Sequence, residues 1–567
     1  MTTGVAPVDG LSHVSGPTDR PLLNATVPDF LKEAARRHGE RPAAAFLQHD
    51  VRWTYGQLLE ESDRLAAGLL SIGLYKGDRI GIWAPNRPEW LLAQFATARV
   101  GLILVNVNPA YRTGELEYAL NKVGAKALIL STQFKSSAYI KMLCELAPEM
   151  SRCAPGKLNA KRLPALRTVI QISREPVPGA FSFDEVMKRC GGGAISRLDA
   201  LGKGLSPHDP INIQFTSGTT GSPKGATLTH HNIINNAISC ARAMELRPGE
   251  SLCIPVPLYH CFGMVMGNLS AVAYGVKMVF PSEGFDAGET LDALERESCS
   301  AMHGVPTMFA AVLDHPDFNR RSLKTMRTGI MAGSPCPEPL MRRVIEEMGC
   351  REITIAYGMT ETSPVSFQSG VSEPLNVRVS TVGRIQPHCE VKVVDDDGKT
   401  VPVGQPGQLI ARGYLVMKGY WGDPERTGES IQNGWMHTGD MAIIDARGYC
   451  RIVGRIKDML IRGGENVYPA EIEEFLLSHP DIAEVQAFGV PDKKYGEEVA
   501  VWIIPRNPGR LSERDVKDYC QGKIAHYKIP RHIRFVGEMP LTATGKAQKF
   551  KMRDATIREL GLQGDMS

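Results

Sequence analysis

The stretch "FTSGTTGSPKG", from Phe215 to Gly225, brings glycines, hydroxyl side chains and a lysine together in one short segment. Glycines let backbone N–H groups turn toward an anion, because they lack the Cβ that restricts other residues. The hydroxyls add hydrogen-bond donors, and Lys224 adds a positive charge. The residue types therefore predict a loop that binds phosphate, with a flexible surface linker as the alternative.

The residues on either side of this loop favour phosphate binding. "INIQF" alternates apolar residues as a strand does, and "THHNIINNAISCARAM" predicts a helix capped by Thr229. We therefore expect the loop to join a strand to a helix, where phosphate-binding loops usually lie. The pattern GxxxxGK[ST] is absent from the loop, since Lys224 follows Pro223 and precedes Gly225, and this disfavours a simple P-loop kinase.

Apolar runs of strand length recur between Asp78 and Gly358, and helix-like segments separate many of them. These runs are "RIGIWA", "LILVNV", "ALILS", "TVIQIS", "INIQF", "LCIPVP", "KMVFP", "TGIMAG" and "ITIAYG". Strands that alternate with helices predict an α/β fold with parallel sheets covered on both faces.

The pattern changes twice in the second half of the chain. After about Pro374, "EVKVVD", the turn "DDGK" and "GQLIARG" predict a β-rich subdomain. Near Arg455 a small α+β domain begins, with "RIVG" as a strand and Pro469 in the first turn of a helix. We therefore predict a tail over residues 1–24, a large domain over 25–455 whose β-rich part starts near 375, and a C-terminal domain over 456–567.

Composition excludes several classes of protein. A chain of 567 residues is too long for one compact core, so two or more domains are expected. A net charge of +3 gives no case for nucleic-acid binding. The 12 cysteines form no CxxC pair, which argues against a zinc ribbon or a dithiol redox motif and favours a reducing compartment.

Two segments bear on location. The first residues show no basic segment followed by an apolar run, so they do not predict a secretory signal. No charged side chain lies between Glu250 and Lys277, but Pro255, Pro257 and Asn268 interrupt this span. We expect a buried strand, loop and helix there rather than a membrane span, and a cytoplasmic protein without stable membrane insertion.

Six motifs occur in order along nearly the whole chain. They are "TSGTTGSPKG", "PLYHCFG" (257–263), "YGMTE" (357–361), "WMHTGD" (435–440), "IVGRIKDMLIRGGENVYPAEIE" (452–473) and "PLTATGKAQK" (540–549). In these motifs the chain resembles the superfamily of AMP-forming acyl-CoA synthetases, luciferases and peptide-synthetase adenylation domains. It is most similar to the medium-chain acyl-CoA synthetases.

The resemblance implies a reaction in two halves. A carboxylate attacks the α-phosphorus of ATP, which gives acyl-adenylate and pyrophosphate. The thiol of CoA then attacks the acyl carbon, and AMP leaves. Because both reactants of the first half are anions, the site must supply positive charge and hold the groups in position. ATP, Mg²⁺ and CoA are therefore expected, with small-molecule substrates rather than nucleic acid as partners.

The resemblance also assigns the residues of the nucleotide site. The phosphates would lie on Thr216, Ser217, Gly218, Thr219, Thr220, Gly221, Ser222, Pro223 and Lys224. Gly333, Ser334, Tyr357 and Gly358 would line the adenine pocket, and Asp440 and Arg455 would bind the ribose. Thr360 would bind the α-phosphate, and Glu361 would bind Mg²⁺, since a hard cation prefers carboxylate oxygen.

The C-terminal domain would supply groups to both half-reactions. Lys546 would be the main adenylation residue, bridging the substrate carboxylate and the α-phosphate. Because Lys546 lies far along the chain, this small domain must close over the large one and then swing for the second half. Lys457 matches the family's hinge. Gly463, Gly464 and Glu465 would border the tunnel for the pantetheine arm of CoA.

The acyl pocket would be lined by His260, Gly263, Gly267, Val305 and Pro306, with His260 as a gate that also takes part in catalysis. The segment "CFGMVMGNLSAVAYG" has no acidic residue, so an amino-acid substrate would leave its ammonium group unpaired. An apolar acid suits this segment better, and the small glycines suggest room for a chain or a ring. Medium chain length follows from the resemblance and not from these residues.

Other interpretations remain open at this stage. The acid could be branched, aromatic or a thioether, and the acyl group could pass to a separate carrier protein. A luciferase-like oxidase is compatible with the fold. A binding or regulatory protein without turnover is disfavoured, because Lys224, Glu361, Asp440, Arg455 and Lys546 are all present. A homodimer is left open, as is a mitochondrial matrix location if a presequence has been removed.

Overall fold

A computed structural model shows the architecture of the chain. It describes residues 6–173, 175–191, 193–216, 223–462, 465–541 and 547–562, with the side chain of residue 466 outside the description. The predicted positions 217–222, 463, 464 and 546 therefore lie outside the described residues.

The strands, in chain order, are β1 His13–Ser15, β2 Pro42–Phe46, β3 Val51–Thr54, β4 Arg79–Trp83, β5 Ile103–Asn106, β6 Ala127–Ser131, β7 Thr168–Ile172, β8 Phe181–Ser182, β9 Pro210–Thr216, β10 Lys224–Thr229, β11 Ser251–Cys253, β12 Lys277–Phe280, β13 Ala301–Gly304, β14 Thr328–Ala332, β15 Glu352–Gly358, β16 Val365–Gln368, β17 Arg384–Ile385, β18 Cys389–Val394, β19 Gly407–Gly413, β20 Gly419–Tyr420, β21 Ile431–Gln432, β22 Trp435–Ile444, β23 Cys450–Arg455, β24 Leu460–Arg462, β25 Glu465–Val467, β26 Ile482–Asp492, β27 Gly496–Pro505 and β28 His532–Phe535.

The α-helices are α1 Val27–His38, α2 Tyr55–Ser71, α3 Pro88–Arg99, α4 Thr113–Val123, α5 Tyr139–Leu146, α6 Phe183–Lys188, α7 Ala194–Gly202, α8 His230–Ala243, α9 Ser270–Tyr274, α10 Ala287–Arg296, α11 Pro306–Leu313, α12 Glu338–Glu346, α13 Leu375–Ser380, α14 Pro424–Ser430, α15 Pro469–Leu477, α16 Glu513–Cys520 and α17 Lys549–Leu560. A π-helix spans Phe262–Leu269, and short 3₁₀ turns include Thr360–Thr362 and Ile456–Asp458.

Two large sheets form the body of the protein. One has the strand order β20-β10-β9-β5-β4-β6-β7-β8, and the other has the order β17-β16-β15-β14-β13-β11-β12-β2-β3. Their central strands run parallel, as in the pairs β4–β5 and β14–β15. The predicted α/β class is confirmed, and all nine apolar runs contain a strand. The sequence pattern did not show that these strands divide between two sheets.

A buried layer of helices lies against both sheets. Helix α3 has almost no exposed residue, and α8 contributes buried residues to the same apolar core. Within this core Arg99 donates to the carboxylates of Asp63 (2.8 Å) and Asp199 (2.6 Å). A buried guanidinium is tolerated here because both of its charged partners are in hydrogen-bonding position.

The β-rich sheet differs from the prediction at both ends. Its order is β1-β18-β19-β22-β21, with β23 paired to β22. Strand β1 comes from the predicted tail and pairs with β18, so the described part of that tail is a component of this sheet. Residues 375–388 lie outside the sheet, because α13 precedes it and β17 belongs to the nine-stranded sheet. "RIVG" lies in β23, so it belongs to this sheet and not to the small domain.

The C-terminal domain has its own sheet and core. Strands β24 to β28 form it in the order β25-β24-β27-β26, with β28 parallel to β27. Pro469 is the first residue of α15, as predicted, and Ser512 caps α16 by accepting a hydrogen bond from the backbone of Asp515. Apolar residues such as Val485 and Ile503 fill a core separate from those of the large domain.

The charge-free span between Glu250 and Lys277 folds as a strand, a π-helix and a short helix. These elements are β11, Phe262–Leu269 and α9, and all of them are buried except part of α9. This confirms the expected buried strand, loop and helix. Over the described ranges, the helices are all too short or too polar to cross a membrane.

The prediction that the glycine-rich loop joins a strand to a helix was wrong. Strand β10 follows the loop and pairs antiparallel with β9, with Lys224 opposite Thr216. The helix α8 begins only at His230, where Thr229 is its N-cap as predicted. "KGATLT" forms a strand because it pairs on one side with β9 and on the other with β20, and the local sequence does not show these partners.

The turn after β15 allows no side chain at Gly358. A Cβ at this position would lie 1.8 Å from the carbonyl oxygen of Pro364, which also accepts the backbone N–H of Met359 at 2.9 Å. Glycine is thus required for the close approach that shapes the turn before Thr360 and Glu361.

We expect Gly358→Ala to lower the free energy of unfolding by about 1–3 kcal/mol, because backbone must move to admit the methyl group. Chemical denaturation measures this change. Gly370→Ala is the matched control, since a Cβ there would meet the side chain of Glu373 at an ordinary 3.8 Å. Equal stability of the two variants would contradict the expectation.

Candidate active site

The site lies where strands of both large sheets end. Thr216 ends β9, Val305 follows β13, Gly333 follows β14, and Tyr357 and Gly358 end β15. The carboxyl ends of parallel strands are where α/β proteins usually bind ligands. The two sheets thus bring residues that are far apart in the chain to one region.

The phosphate end is built from β9, β10 and the turn after β15. The hydroxyl of Thr216 donates to Oε1 of Glu361 at 3.0 Å. Lys224 lies opposite Thr216 in the hairpin, and the Pro223 carbonyl accepts a hydrogen bond from the hydroxyl of Tyr118 at 3.1 Å. The structure therefore brings both described ends of the predicted phosphate loop to the predicted metal ligand.

Tyr420 lies beside Glu361 and Lys224, although the sequence analysis did not predict it as a site residue. Its hydroxyl donates to the same Oε1 of Glu361 at 3.0 Å, and its ring lies 5.1 Å from the Lys224 ammonium nitrogen. Burial and then the Glu361 carboxylate raise the pKa of Tyr420 above its ordinary value. The stretch "KGYWGD" contained no pattern that distinguishes this tyrosine, because its role depends on β20 pairing with β10.

Glu361, the predicted Mg²⁺ ligand, is buried among oxygen-bearing groups. Its residue is 5% exposed, its carbonyl accepts the N–H of Met417 at 2.9 Å, and neighbouring Thr360 is also buried. Carboxylate and hydroxyl oxygens are ligands that suit Mg²⁺. In the part of the chain that the structure describes, no group of three or more His, Cys, Asp or Glu side chains could hold a metal ion.

The predicted nucleotide residues meet at the other end of the same segment. Tyr357 donates its hydroxyl hydrogen to Oδ2 of Asp440 at 2.5 Å, and Nε of Arg455 lies 3.3 Å from Oδ1 of Asp440. Asp440 and Arg455 face each other in the β22–β23 pair. Burial, and then the adjacent Asp440 carboxylate, raise the pKa of Tyr357 well above its ordinary value, so its hydroxyl stays a donor.

The predicted nucleotide loop contacts the predicted acyl pocket. A Cβ on Gly333, whose φ is +96°, would meet Cγ1 of Val305 at 3.1 Å, while Ser334 beside it is exposed. Val305 is the N-cap of α11, and Pro306 is its first residue. The two predicted regions are therefore neighbours, as the transfer of an acyl group to a nucleotide requires.

The segment around His260 is held by buried amides. The Asn106 amide donates to the carbonyl of Tyr259 at 2.8 Å, and the Cys261 thiol donates to the Gln214 side-chain oxygen at 3.2 Å. Gln214 lies on β9, two residues before Thr216. The strand that leads into the phosphate loop is thereby connected to Cys261, and its neighbour β5 is connected to Tyr259 through Asn106.

The two glycines predicted to leave room for the acyl chain are closely packed on the side where a Cβ would lie. A Cβ on Gly263 would lie 2.4 Å from the carbonyl oxygen of Pro257, and a Cβ on Gly267 would meet Ile254 at 3.1 Å. Both positions are small because the π-helix packs closely against the segment before it. This packing accounts for the small size of both residues, and their predicted place in the acyl pocket stays a prediction.

The predicted hinge and CoA residues lie beyond β23. Lys457 is in the 3₁₀ turn Ile456–Asp458 that connects β23 to β24. Burial and then the adjacent Arg455 lower the pKa of Lys457. Glu465 is exposed and begins β25. Their predicted roles, and that of Lys546, stay predictions.

Comparison with known proteins identifies the family. The AMP-binding enzyme model matches residues 31–421, and the model of the AMP-binding enzyme C-terminal domain matches residues 471–546. A medium-chain acyl-CoA ligase of Danio rerio, the mitochondrial ACSF2, is 47% identical over 555 residues, covering 97% of this chain and 91% of that protein. The chain belongs to the AMP-binding enzyme family.

Solved structures agree with this assignment. The anthranilate CoA ligase AuaEII in complex with anthranoyl-AMP matches with a TM-score of 0.83 and 26% identity, over 96% of this chain and 99% of that one. ATP-bound MatB from Rhodopseudomonas palustris matches with a TM-score of 0.80 and 27% identity, over 95% and 100% of the two chains. The resemblance is confirmed: the chain is an AMP-forming acyl-CoA ligase that uses ATP and CoA.

Tyr357→Phe tests the ribose end. We expect the KM for ATP to rise about tenfold, because a hydrogen bond to a charged group contributes about 1.5–3 kcal/mol and Asp440 keeps Arg455 as a partner. Initial rates at varied ATP concentration measure this change. Tyr75→Phe is the control, since Tyr75 is 54% exposed. An unchanged KM for ATP in Tyr357→Phe would show that its hydroxyl does not support Asp440.

Proposed function

We propose that the protein activates a medium-chain fatty acid to acyl-CoA, through an acyl-adenylate, with ATP, Mg²⁺ and CoA. One observation carries this proposal. The segment 357–361 contacts Asp440 through Tyr357 and Thr216 through Glu361, so one stretch of chain supports both the ribose end and the phosphate end of a nucleotide. A bound ATP would then lie along this segment with its phosphates toward β9 and β10.

The charges of the site suit an attack between two anions. Lys224 lies at the phosphate end, and Lys546, which the family motif assigns to adenylation, would bridge the carboxylate and the α-phosphate. When bound, Mg²⁺ would neutralise phosphate charge, with Glu361 as its protein ligand. Asp440 would accept hydrogen bonds from the ribose hydroxyls, and Arg455 would hold that carboxylate in place.

An apolar acid agrees with the walls near Val305. The π-helix Phe262–Leu269 is wholly buried and contains no charged residue, so an ammonium or a second carboxylate would find no partner on it. The relative from Danio rerio, named a medium-chain acyl-CoA ligase, supports medium length. Free CoA as the acceptor agrees with the same relative.

The proposal also covers the cellular location of the protein, its hinge and its oligomeric state. The word mitochondrial in the name of that relative supports the mitochondrial matrix as the alternative to the cytoplasm for this chain. We also propose that Lys457 is the hinge and that the C-terminal domain begins after β23. A homodimer stays a prediction that gel filtration with light scattering can check.

Pyrophosphate release from ATP and Mg²⁺ with a series of straight-chain acids tests the proposed function. We expect multiple turnovers only when CoA is present and the highest kcat/KM for acids of medium length. Glu361→Gln should lower kcat by about 10²–10³-fold, since it removes the carboxylate proposed to bind Mg²⁺. A single burst that CoA does not relieve would point instead to a carrier protein as acceptor.

Lys546→Ala tests the division between the two half-reactions. We expect adenylate formation to fall by about 10²–10³-fold, because the charge at the α-phosphate is lost. Thioester formation from supplied acyl-adenylate and CoA should be retained. Lys551→Ala, a lysine at an exposed position of α17, is the control. Equal loss of both half-reactions would contradict the proposed role.

A further inference from the structure

Tyr420 contacts both charged groups at the phosphate end. Its hydroxyl binds Oε1 of Glu361 at 3.0 Å, and its ring lies 5.1 Å from the ammonium nitrogen of Lys224. The residue is 8% exposed, so these contacts are made largely out of water. The described part of the chain shows no ion pair between Lys224 and Glu361, and Tyr420 is in contact with each of them.

The backbone on either side of Tyr420 fixes the position of its ring. Strand β20 pairs with β10, with Tyr420 opposite Ala226. The N–H of Trp421 donates to the carbonyl of Gly225 at 2.8 Å. The N–H of Tyr420 itself donates to the hydroxyl of Thr427 at 2.9 Å. The backbone at Tyr420 is therefore paired with β10, which is the strand that begins with Lys224.

Two physical effects follow from this placement. A hydroxyl that donates to a carboxylate forms a charge-assisted bond with a preferred direction, which orients Glu361. An ammonium near an aromatic face is attracted to it, which gives Lys224 a partner that does not neutralise its charge. Without the ring, the half-buried Lys224 ammonium and the buried Glu361 carboxylate would attract each other and could pair directly.

We propose that Tyr420 is a positioning residue of the phosphate end. Its hydroxyl orients the Glu361 carboxylate for the metal–phosphate complex, and its ring keeps the Lys224 ammonium from pairing with that carboxylate. The Lys224 ammonium then remains available to the triphosphate, and the Glu361 carboxylate remains available to the Mg²⁺ bound with it. This inference rests on the proposed function, in which Glu361 binds Mg²⁺ and Lys224 binds phosphate.

Tyr420→Phe removes the hydroxyl and keeps the ring, so it separates the two effects. We expect the Mg²⁺ concentration for half-maximal pyrophosphate release to rise about tenfold, with a smaller change in the KM for the acid. Tyr420→Leu removes the ring as well, and should raise the Kd of ATP, measured by isothermal titration calorimetry without acid or CoA, beyond that of Tyr420→Phe. Thermal unfolding of each variant shows whether it is folded.

A double-mutant cycle distinguishes positioning from simple packing. If the hydroxyl acts through Glu361, Tyr420→Phe should have no further effect on the residual adenylation rate of Glu361→Gln. Tyr139→Phe is the matched control, since it also removes a buried hydroxyl, one that donates to the Pro109 carbonyl at 2.7 Å. This control should leave the Mg²⁺ dependence unchanged.

The outcomes separate this inference from the proposed function. An unchanged Mg²⁺ dependence in a folded, active Tyr420→Phe variant, or additive losses in the cycle, would overturn the positioning role while leaving the ligase activity intact. Absence of acid-dependent pyrophosphate release from the unmodified chain would overturn the proposed substrate and with it the basis of the inference. If Tyr420→Leu does not fold, the Tyr420→Phe variant and the double-mutant cycle with Glu361→Gln still test the positioning role.

Discussion

The burial of the Glu361 carboxylate is the constraint on which the site depends. A carboxylate removed from water costs free energy unless donors replace that water. Thr216 and Tyr420 supply two hydroxyl donors, and they come from β9 and β20, which are about two hundred residues apart in the chain. The phosphate end therefore forms only when the eight-stranded sheet and the turn after β15 pack together.

The two sheets explain how one short segment reaches both ends of the proposed nucleotide site. Strand β15 belongs to the nine-stranded sheet, and the turn that follows it reaches the eight-stranded sheet at Thr216. At the start of this turn the hydroxyl of Tyr357 donates a hydrogen bond to Asp440, which belongs to the β-rich sheet. Three sheets thus meet at residues 357–361, and Gly358 permits the tight turn because no Cβ would fit beneath Pro364.

The differences between expectation and structure have one cause, which is that packing partners are not visible in local sequence. The sequence did not show that neighbouring backbone or side chains lie against the glycines at 263 and 267. "KGATLT" was not expected as a strand, because its pairing with β9 and β20 is settled by residues far from it. The predicted tail contributes β1 for the same reason, since β18 is its partner.

The sequence by itself determined the α/β class, the nine apolar strands, the helix cap at Thr229 and the family motifs, because these depend on local periodicity and on residue types at short spacing. It also named Thr216, Glu361, Tyr357, Asp440 and Arg455. Only the tertiary structure decided that two sheets share the strands, that the glycine-rich loop joins a hairpin, and that Tyr420 lies between Lys224 and Glu361. Such long-range contacts follow from how buried surfaces and hydrogen bonds are satisfied across the whole fold, which no single stretch of sequence contains.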